Sequence, residues 1–251
     1  MKSLLFLFLS FLLFAGCNKE VNTPDSDYDI LNIYPHNTSY FTQGFEFVGD
    51  TLIEGTGKNG YSKIVKYNFN NGQVYQEINL PSIYFGEGIT VFNNKVYQLT
   101  WKSLKCLVYN YSDLEKINEF SYTGEGWGLT NDGTNLIMSD GSDKVYFRNP
   151  EDFSLIRTII VKDSNNISVS LLNELEFAEG KLYANIWGSN YIISIDPQTG
   201  SELRRYYLND LLTAEEYYQA EVLNGIAYRN GNFFITGKYW PKIFEIKLID
   251  K

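Results

Sequence analysis

Glu87 is the residue whose sequence surroundings most suggest chemistry. It stands between Gly86 and Gly88 in the segment YFGEGIT, residues 84–90. Glycine costs backbone entropy and offers no side chain to pack, so its presence on both sides of a glutamate calls for a reason. A carboxyl group can take a proton from one group and return it to another. We interpret the bare neighbours as leaving room for a small molecule to reach Glu87. We extend this interpretation to Gly44, Gly126, Gly128 and Gly237.

The shortage of histidine narrows the possible chemistry. The chain has one histidine, His36, and is therefore poorly equipped to assemble the acid and histidine ligands of a zinc enzyme. A Ser-His-Asp triad would need the same residue. His36 lies in the segment that we expect to close the fold, away from the other candidates, and we expect it to be structural. We expect no metal and no other cofactor.

Five repeats of one unit must position the candidate residues. The units begin at Gln43, Glu87, Trp127, Asn173 and Asn224, with the spacing of roughly 40 to 50 residues that is typical of four-stranded propeller blades. The last unit has only three strands, and the segment DILNIYPH (29–36) can supply the fourth. The sequence therefore predicts an all-β fold, a five-bladed β-propeller over residues 29–251 that is closed by an N-terminal strand.

This architecture predicts where the candidates meet. The first strand of each blade lines the central channel and the second runs antiparallel to it, so first-strand starts and second-strand ends share one face. The residues at these positions are Gln43, Glu87, Trp127, Asn173, Trp101, Asp140, Trp187 and Lys238. We predict that they form one site with an aromatic cage. There are alternatives for each kind of residue. The single tryptophans could pack in the core, Glu87 and Lys238 could lie at the solvated surface, and some of the glycines could serve turns. We expect Trp240 to be structural.

The N-terminus and the charge restrict location and partners. Residues 1–17 combine Lys2, a short apolar run and Ala-Gly-Cys, which is typical of a lipoprotein signal peptide. We expect Cys17 to be lipidated, residues 18–28 to be a tether, and the protein to be anchored by lipid in a bacterial cell envelope, either periplasmic or surface-exposed. Ordinary cleavage is the alternative. The formal charge of −9 argues against nucleic acid as a partner.

Two further expectations concern cross-linking and association. After lipidation only Cys106 remains, so no intrachain disulfide can form, and Cys106 is most simply a small core residue. Ring closure leaves no obvious edge strand for pairing with another chain. We therefore expect a monomer.

The chain resembles the glutamine cyclotransferase family, the plant and bacterial type of glutaminyl-peptide cyclase. The matching segments occur in order along the whole propeller. They include YPHNTSYFTQGF, FGEGIT, YQLTW, GEGWGLTNDG, LNELEF, ANIW, LNGIAY and ITGKYWPKIFEI. The resemblance implies a five-bladed propeller that converts N-terminal glutamine of peptides into pyroglutamate with release of ammonia.

The resemblance also implies roles for individual residues. Glu87 matches the catalytic acid and base, and Asn173 and Lys238 match the polar groups around the reacting amide. Five residues match the substrate-contacting positions: Phe41, Gln43, Trp101, Trp127 and Trp187. No metal is required in this scheme, since Asn173 and Lys238 can donate to the oxyanion.

Two other functions compete with this hypothesis. A non-catalytic propeller that binds a peptide or sugar at the same mouth would need the aromatic walls but not Glu87 together with Asn173 and Lys238. A five-bladed glycoside hydrolase would need two carboxyl groups flanking the sugar bond. Glu87 with Asp140 or Glu174 would be the pair in that case.

Overall fold

Strands dominate the fold because β-branched and aromatic residues recur in short runs between turn residues. The structure, a computed structural model, describes residues 26–250, and that range contains twenty strands and one short helix. Blade 1 contains β2 (Thr42–Val48), β3 (Thr51–Thr56), β4 (Lys63–Tyr67) and β5 (Val74–Asn79). Blade 2 contains β6 (Gly86–Phe92), β7 (Lys95–Thr100), β8 (Lys105–Asn110) and β9 (Lys116–Ser121). Blade 3 contains β10 (Leu129–Asn131), β11 (Leu136–Ser139), β12 (Lys144–Arg148) and β13 (Leu155–Ile160). Blade 4 contains β14 (Leu172–Ala178), β15 (Lys181–Ile186), β16 (Tyr191–Ile195) and β17 (Glu202–Tyr207).

Blade 5 closes the ring with both ends of the chain. It contains β18 (Leu223–Arg229), β19 (Asn232–Gly237), β20 (Lys242–Leu248) and β1 (Tyr28–Pro35). Strand β1 pairs antiparallel with β20, from Tyr28 opposite Leu248 to Pro35 opposite Lys242. The five antiparallel four-stranded sheets confirm the predicted fold class and its closure by an N-terminal strand.

The hairpins between first and second strands show why the chain reverses where it does. Asn93 and Asn94, between β6 and β7, both have positive φ, at 49° and 58°. Asn230 and Gly231, between β18 and β19, have φ of 53° and 87°. Two consecutive residues with positive φ form the tight turn that suits the twist of paired strands, and Asn and Gly adopt this conformation most readily.

The apolar core lies between neighbouring blades. One cluster joins Tyr183 and Ile192 of blade 4 to Phe233 and Phe244 of blade 5. Four similar clusters join the other blade pairs. Cys106 is a fully buried free thiol in the cluster between blades 2 and 3, which confirms its predicted core position. Each blade therefore buries its two faces against its neighbours and stabilises the ring.

A buried polar network holds the closure point. The Glu54 carboxylate lies 3.1 Å from His36 Nε2, and it accepts hydrogen bonds from the hydroxyls of Thr42 and Tyr67. His36 Nδ1 lies 2.8 Å from the carbonyl oxygen of Trp240. Burial disfavours a charged imidazole, but the Glu54 carboxylate beside it raises the pKa of His36. His36 is structural, as the sequence predicted.

Helix α1 (Ala214–Gln219) connects blades 4 and 5. Thr213 caps it, and the side chains of Thr213 and Glu216 form the reciprocal bonds of a capping box. No helix within residues 26–250 is long and apolar enough to cross a membrane. The predicted signal peptide (1–17), Cys17 and most of the tether (18–28) lie outside the described residues.

The fourth strands show that ring closure does not remove all edges. Strands β5, β9, β13, β17 and β1 each form the outer edge of a sheet. Some of their apolar side chains are exposed, among them Tyr75 and Ile156. The expectation that no edge strand remains is wrong, because closure pairs blade 5 with the N-terminus but leaves the rim of the disc open. The monomeric state remains a prediction.

Candidate active site

One cavity at the channel mouth collects the predicted site residues. Its volume is about 370 Å³. The residues that line it are Phe41, Gln43, Phe85, Glu87, Trp101, Trp127, Asn173, Trp187 and Lys238. All eight predicted catalytic and substrate-contacting residues are therefore brought together. Phe85 is the ninth and was not predicted, although it directly precedes the Gly-Glu-Gly segment.

Local breaks in strand pairing lie at three of the polar residues. In blade 2 the register between β6 and β7 shifts between Gly86 and Ile89, the interval that contains Glu87. Similar shifts occur between Thr42 and Gly44, around Gln43, and between Leu172 and Leu175, around Asn173. Such irregularities redirect side chains next to active sites. The start of each of these inner strands therefore leaves the regular ladder where it carries a cavity residue.

The glycines at these strand starts have a different role from the predicted one. A Cβ at Gly44 would collide with the backbone of Ile89 in the next blade. Gly88 meets Leu129 in the same way, and Gly128 meets Asn173. The inner strands of successive blades thus approach so closely that only glycine fits.

The other three glycines face protein groups as well. A Cβ at Gly86, Gly126 or Gly237 would meet Thr56, Tyr122 or Trp240 respectively. The interpretation that these glycines leave room for a ligand is wrong, because protein atoms occupy the space beside them. Trp240, only 1% exposed and bonded through its indole N–H to the Glu221 carbonyl, is structural as predicted.

Glu87 and Lys238 form the charged centre of the cavity. Both are buried, and they do not form a direct ion pair. Burial raises the pKa of Glu87 well above its usual range; Lys238 opposes this shift and Glu125 adds to it. Burial lowers the pKa of Lys238 to about 8, against the influence of Glu87. The carboxyl of Glu87 has no hydrogen-bond partner within residues 26–250, so it is free to meet a substrate.

The amide side chains offer donors beside this centre. Asn224 donates to the Oε1 of Gln43 at 3.2 Å, which leaves the NH2 group of Gln43 without a partner in the described chain. Asn173 is 2% exposed; its acceptor Oδ1 has no partner among residues 26–250, and its donor Nδ2 bonds to none of them. Buried polar groups are normally hydrogen-bonded. These two amides therefore carry unused hydrogen-bonding capacity into the cavity.

The aromatic walls form two groups that a second glutamate joins. Phe85 contacts Trp101 edge-on with ring centroids 5.6 Å apart, and Trp127 contacts Trp187 at 6.1 Å. Glu125 accepts hydrogen bonds from the indole N–H groups of Trp101 at 2.6 Å and Trp127 at 3.0 Å. Glu125 was not among the predicted site residues. Its signal is a second Gly-Glu-Gly, residues 124–126, the same tripeptide that drew attention to Glu87.

The carboxyl groups proposed as partners of Glu87 in a glycosidase do not line the cavity. The prediction that Asp140 forms part of the site is wrong, because its carboxylate instead accepts bonds from Ser142 in the turn after β11 and from Tyr146 in β12. Glu174 is fully buried and accepts a bond from the backbone N–H of Ile226 in the next blade. Glu87 is the only carboxyl group among the nine lining residues. Within residues 26–250 no three acidic, histidine or cysteine residues are grouped to hold a metal ion.

Fold and cavity together define a class of protein: a five-bladed β-propeller with a buried carboxyl group and aromatic walls at the mouth of its channel. The chain belongs to the glutamine cyclotransferase family, whose sequence profile matches residues 4–248.

Two relatives place the chain within that family. It is 34% identical over 241 residues to a glutaminyl-peptide cyclotransferase of Arabidopsis thaliana, a match covering 93% of this chain and 75% of the relative. The crystal structure of Myxococcus xanthus glutaminyl cyclase superposes with a TM-score of 0.79 at 33% identity, covering 89% of this chain and 97% of the other. The β-propeller domain of Myceliophteria thermophila Cps50 (Swd1) shares the fold alone, with a TM-score of 0.52 at 9% identity; that match covers 88% of this chain and all of the domain.

Proposed function

We propose that the protein is a glutaminyl-peptide cyclotransferase that converts the N-terminal glutamine of peptides into pyroglutamate. The α-amine attacks the side-chain amide carbon of the same residue, a C–N bond forms, and the bond to the amide nitrogen breaks to release ammonia. Both reacting groups belong to one flexible side chain and its backbone. Holding them together supplies much of the rate, because correct orientation replaces a costly encounter.

Glu87 carries the proton transfers in this scheme. A free α-amine has a pKa of about 7.7–8.0, so much of it arrives protonated at neutral pH. The raised pKa of Glu87 makes its carboxylate a stronger base than an exposed glutamate, and therefore better matched to that amine. Glu87 accepts a proton from the amine as the new bond forms. It then protonates the departing amide nitrogen and is regenerated.

Asn173, Gln43 and Lys238 stabilise the charge that develops on the amide oxygen. Fixed donors in a site that excludes water act strongly on an oxyanion. Lys238 lies over the ring of Phe41, with its Nζ 4.6 Å from the ring centroid, which fixes the ammonium group inside the cavity. The aromatic walls hold the methylene groups of the substrate in a folded conformation, since they have few rotamers of their own to lose.

The observation that carries the proposal is the single unpaired carboxyl group of Glu87 beside Lys238 in an aromatic cavity, in a chain of this family. The test is incubation with an amidated tetrapeptide that begins with glutamine, followed by mass spectrometry. We expect the loss of one ammonia. The same peptide with an acetylated N-terminus lacks the nucleophile and must stay unchanged. Absence of product from the free peptide across the neutral pH range would favour a binding protein instead.

We also propose that Cys17 carries lipid and anchors the enzyme in a bacterial cell envelope. The support is the sequence of residues 1–17 alone, with Ala15 and Gly16 before Cys17. Expression in a bacterium fed radiolabelled palmitate should label the wild-type protein. A Cys17→Ser variant should remain unlabelled and leave the membrane fraction. An unlabelled wild-type protein would contradict the anchor without affecting the proposed activity.

A further inference from the structure

Trp187 is the most exposed of the residues that line the active-site cavity. The other lining residues are buried or half-buried, whereas the side of Trp187 is 44% exposed. A peptide whose first residue fills the cavity must extend its remaining residues into solvent past the exposed wall. The open side of the site therefore indicates the direction in which a peptide chain leaves it.

A second cavity is lined by segments that directly adjoin Trp187 and Lys238. Its volume is about 430 Å³, slightly larger than that of the first. Its lining residues, which we call the exit groove, are Gly188, Ser189, Asn190, Tyr217, Ala220, Glu221 and Val222. One side is the turn after β15, and the other is helix α1 with the segment that follows it. Tyr217 donates a hydrogen bond to Asn190 Oδ1 at 2.8 Å and so joins the two sides.

The backbone connects the exit groove to the charged centre. The N–H of Glu221 donates to the carbonyl of Lys238 at 2.8 Å, and the N–H of Lys238 donates to the carbonyl of Val222 at 3.0 Å. The turn on the opposite side begins at the residue after Trp187. Each side of the exit groove is therefore continuous with a residue that lines the active-site cavity.

We propose that the exit groove binds the backbone of the residues that follow the N-terminal glutamine, so that the enzyme acts preferentially on peptides rather than on free glutamine derivatives. This inference rests on the proposed function. The groove is at least as large as the cavity that takes one glutamine residue, so it has room for the next residue. The side-chain Nδ2 of Asn190 has no partner within residues 26–250 and can donate to a substrate carbonyl. The half-exposed carboxylate of Glu221 lies 3.9 Å from the Lys58 ammonium and can also accept from a backbone N–H.

Two adjacent tyrosines provide a matched pair for the test. Tyr217 lines the exit groove and is 42% exposed, whereas Tyr218 is 92% exposed and lies outside it. No residue of helix α1 is buried, so both positions should tolerate substitution. The measurement is kcat/KM for glutamine amide, which has nothing beyond the first residue, and for an amidated tetrapeptide beginning with glutamine. The enzymes are the wild type, Tyr217→Ser and Tyr218→Ser.

We expect the wild type to prefer the tetrapeptide. Tyr217→Ser should lower kcat/KM for the tetrapeptide about fivefold or more, because tyrosine is enriched among the minority of contact residues whose truncation costs more than about 1 kcal/mol. Glutamine amide should be turned over equally by all three enzymes. A bulky Ala220→Phe variant, folded by its thermal melting curve, should give the same selective loss by filling the groove. If Tyr217→Ser and Ala220→Phe affect both substrates equally, or affect neither, the proposal that the groove binds peptide is contradicted. The proposed cyclase activity would be unaffected by that result. A wild type inactive on both substrates would refute the proposed function, and the groove with it.

Discussion

Two buried glutamates in neighbouring blades have opposite surroundings. Glu54 in blade 1 is fully buried and is bonded to His36, Thr42 and Tyr67. Glu87 in blade 2 is 5% exposed, and its carboxyl receives no hydrogen bond within residues 26–250. A buried carboxylate without partners is costly, because the lost hydration is not replaced.

The difference separates a structural glutamate from one that is ready to react. Glu54 is satisfied by the protein itself and joins the first blade to the last. Glu87 has its pKa raised by burial and keeps its oxygens free for a ligand. Active sites commonly retain such unfavourable groups, at a cost met by the rest of the fold. Burial alone therefore does not distinguish the two residues, but hydrogen-bond satisfaction does.

The largest expected effect is on catalysis at Glu87. Glu87→Gln keeps the shape of the side chain but cannot shuttle a proton, and we expect kcat to fall by about 10²–10⁴-fold, the usual contribution of a general acid/base. Thermal stability should match or slightly exceed that of the wild type, because a poorly solvated acid is replaced by a neutral amide. Ammonia release and a melting curve measure the two effects. A variant that unfolds would make Glu87 structural, like Glu54.

The opposite result is expected at Glu54. Glu54→Ala removes one partner of a buried pair and leaves His36 without its counterion, which typically costs about 3–5 kcal/mol in the free energy of unfolding. The folded fraction should retain kcat/KM close to the wild-type value, measured below the melting transition. Glu77→Ala is the control, since Glu77 pairs with Lys63 on the surface and should cost at most about 1 kcal/mol. Similar losses in the two variants would remove the distinction.

The sequence predicts the blades and the residues that line the site because both follow from the repeated blade unit. Strand starts and ends recur at fixed offsets, so Gln43, Glu87 and Asn173 could be assigned to one face before any contact was known. The role of the glycines could not be predicted in this way. Whether the space beside Gly88 holds a ligand or the backbone of Leu129 depends on the distance between blades, which no local pattern encodes.

The direction in which the pKa of Glu87 shifts could not be predicted from the sequence either. Lys238 lowers the pKa of Glu87 and burial raises it, and only the depth of the cavity decides that burial dominates. Glu125 was missed although its Gly-Glu-Gly is visible in the sequence, because it lies before a strand start rather than at one. The exposed edges of the outer strands were not predicted. The repeat pattern indicates which strands pair within a blade, but it does not indicate whether anything covers the outermost strand.

Lys238 should make the activity depend on pH in the alkaline range. Lysine loses its charge as the pH rises through about 8, the lowered pKa that burial imposes, whereas arginine stays charged. In Lys238→Arg we expect kcat/KM below pH 7 to fall by up to about a hundredfold, because the larger guanidinium cannot place its donor where the ammonium lay, and complete loss of one oxyanion donor costs about 10²–10³-fold. The ratio of variant to wild type should then rise as the pH passes about 8. A ratio independent of pH would mean that the Lys238 proton is not used.

The smallest expected effect is a change in the pKa of Glu87 when the charge of Glu125 is removed. Its negative charge raises the pKa of Glu87, so Glu125→Gln should lower that pKa. A base loses activity as the pH falls through its pKa, and the acid limb of kcat/KM should therefore move to lower pH, by less than about one unit for an indirect charge effect. The neutral amide oxygen of the variant accepts more weakly than a carboxylate from the indole N–H groups of Trp101 and Trp127, so KM should rise modestly. Glu119→Gln removes a surface carboxylate that pairs with Lys105 and Lys116, and it should move neither quantity. An unshifted acid limb in Glu125→Gln would show that the charge of Glu125 does not contribute to the basicity of Glu87.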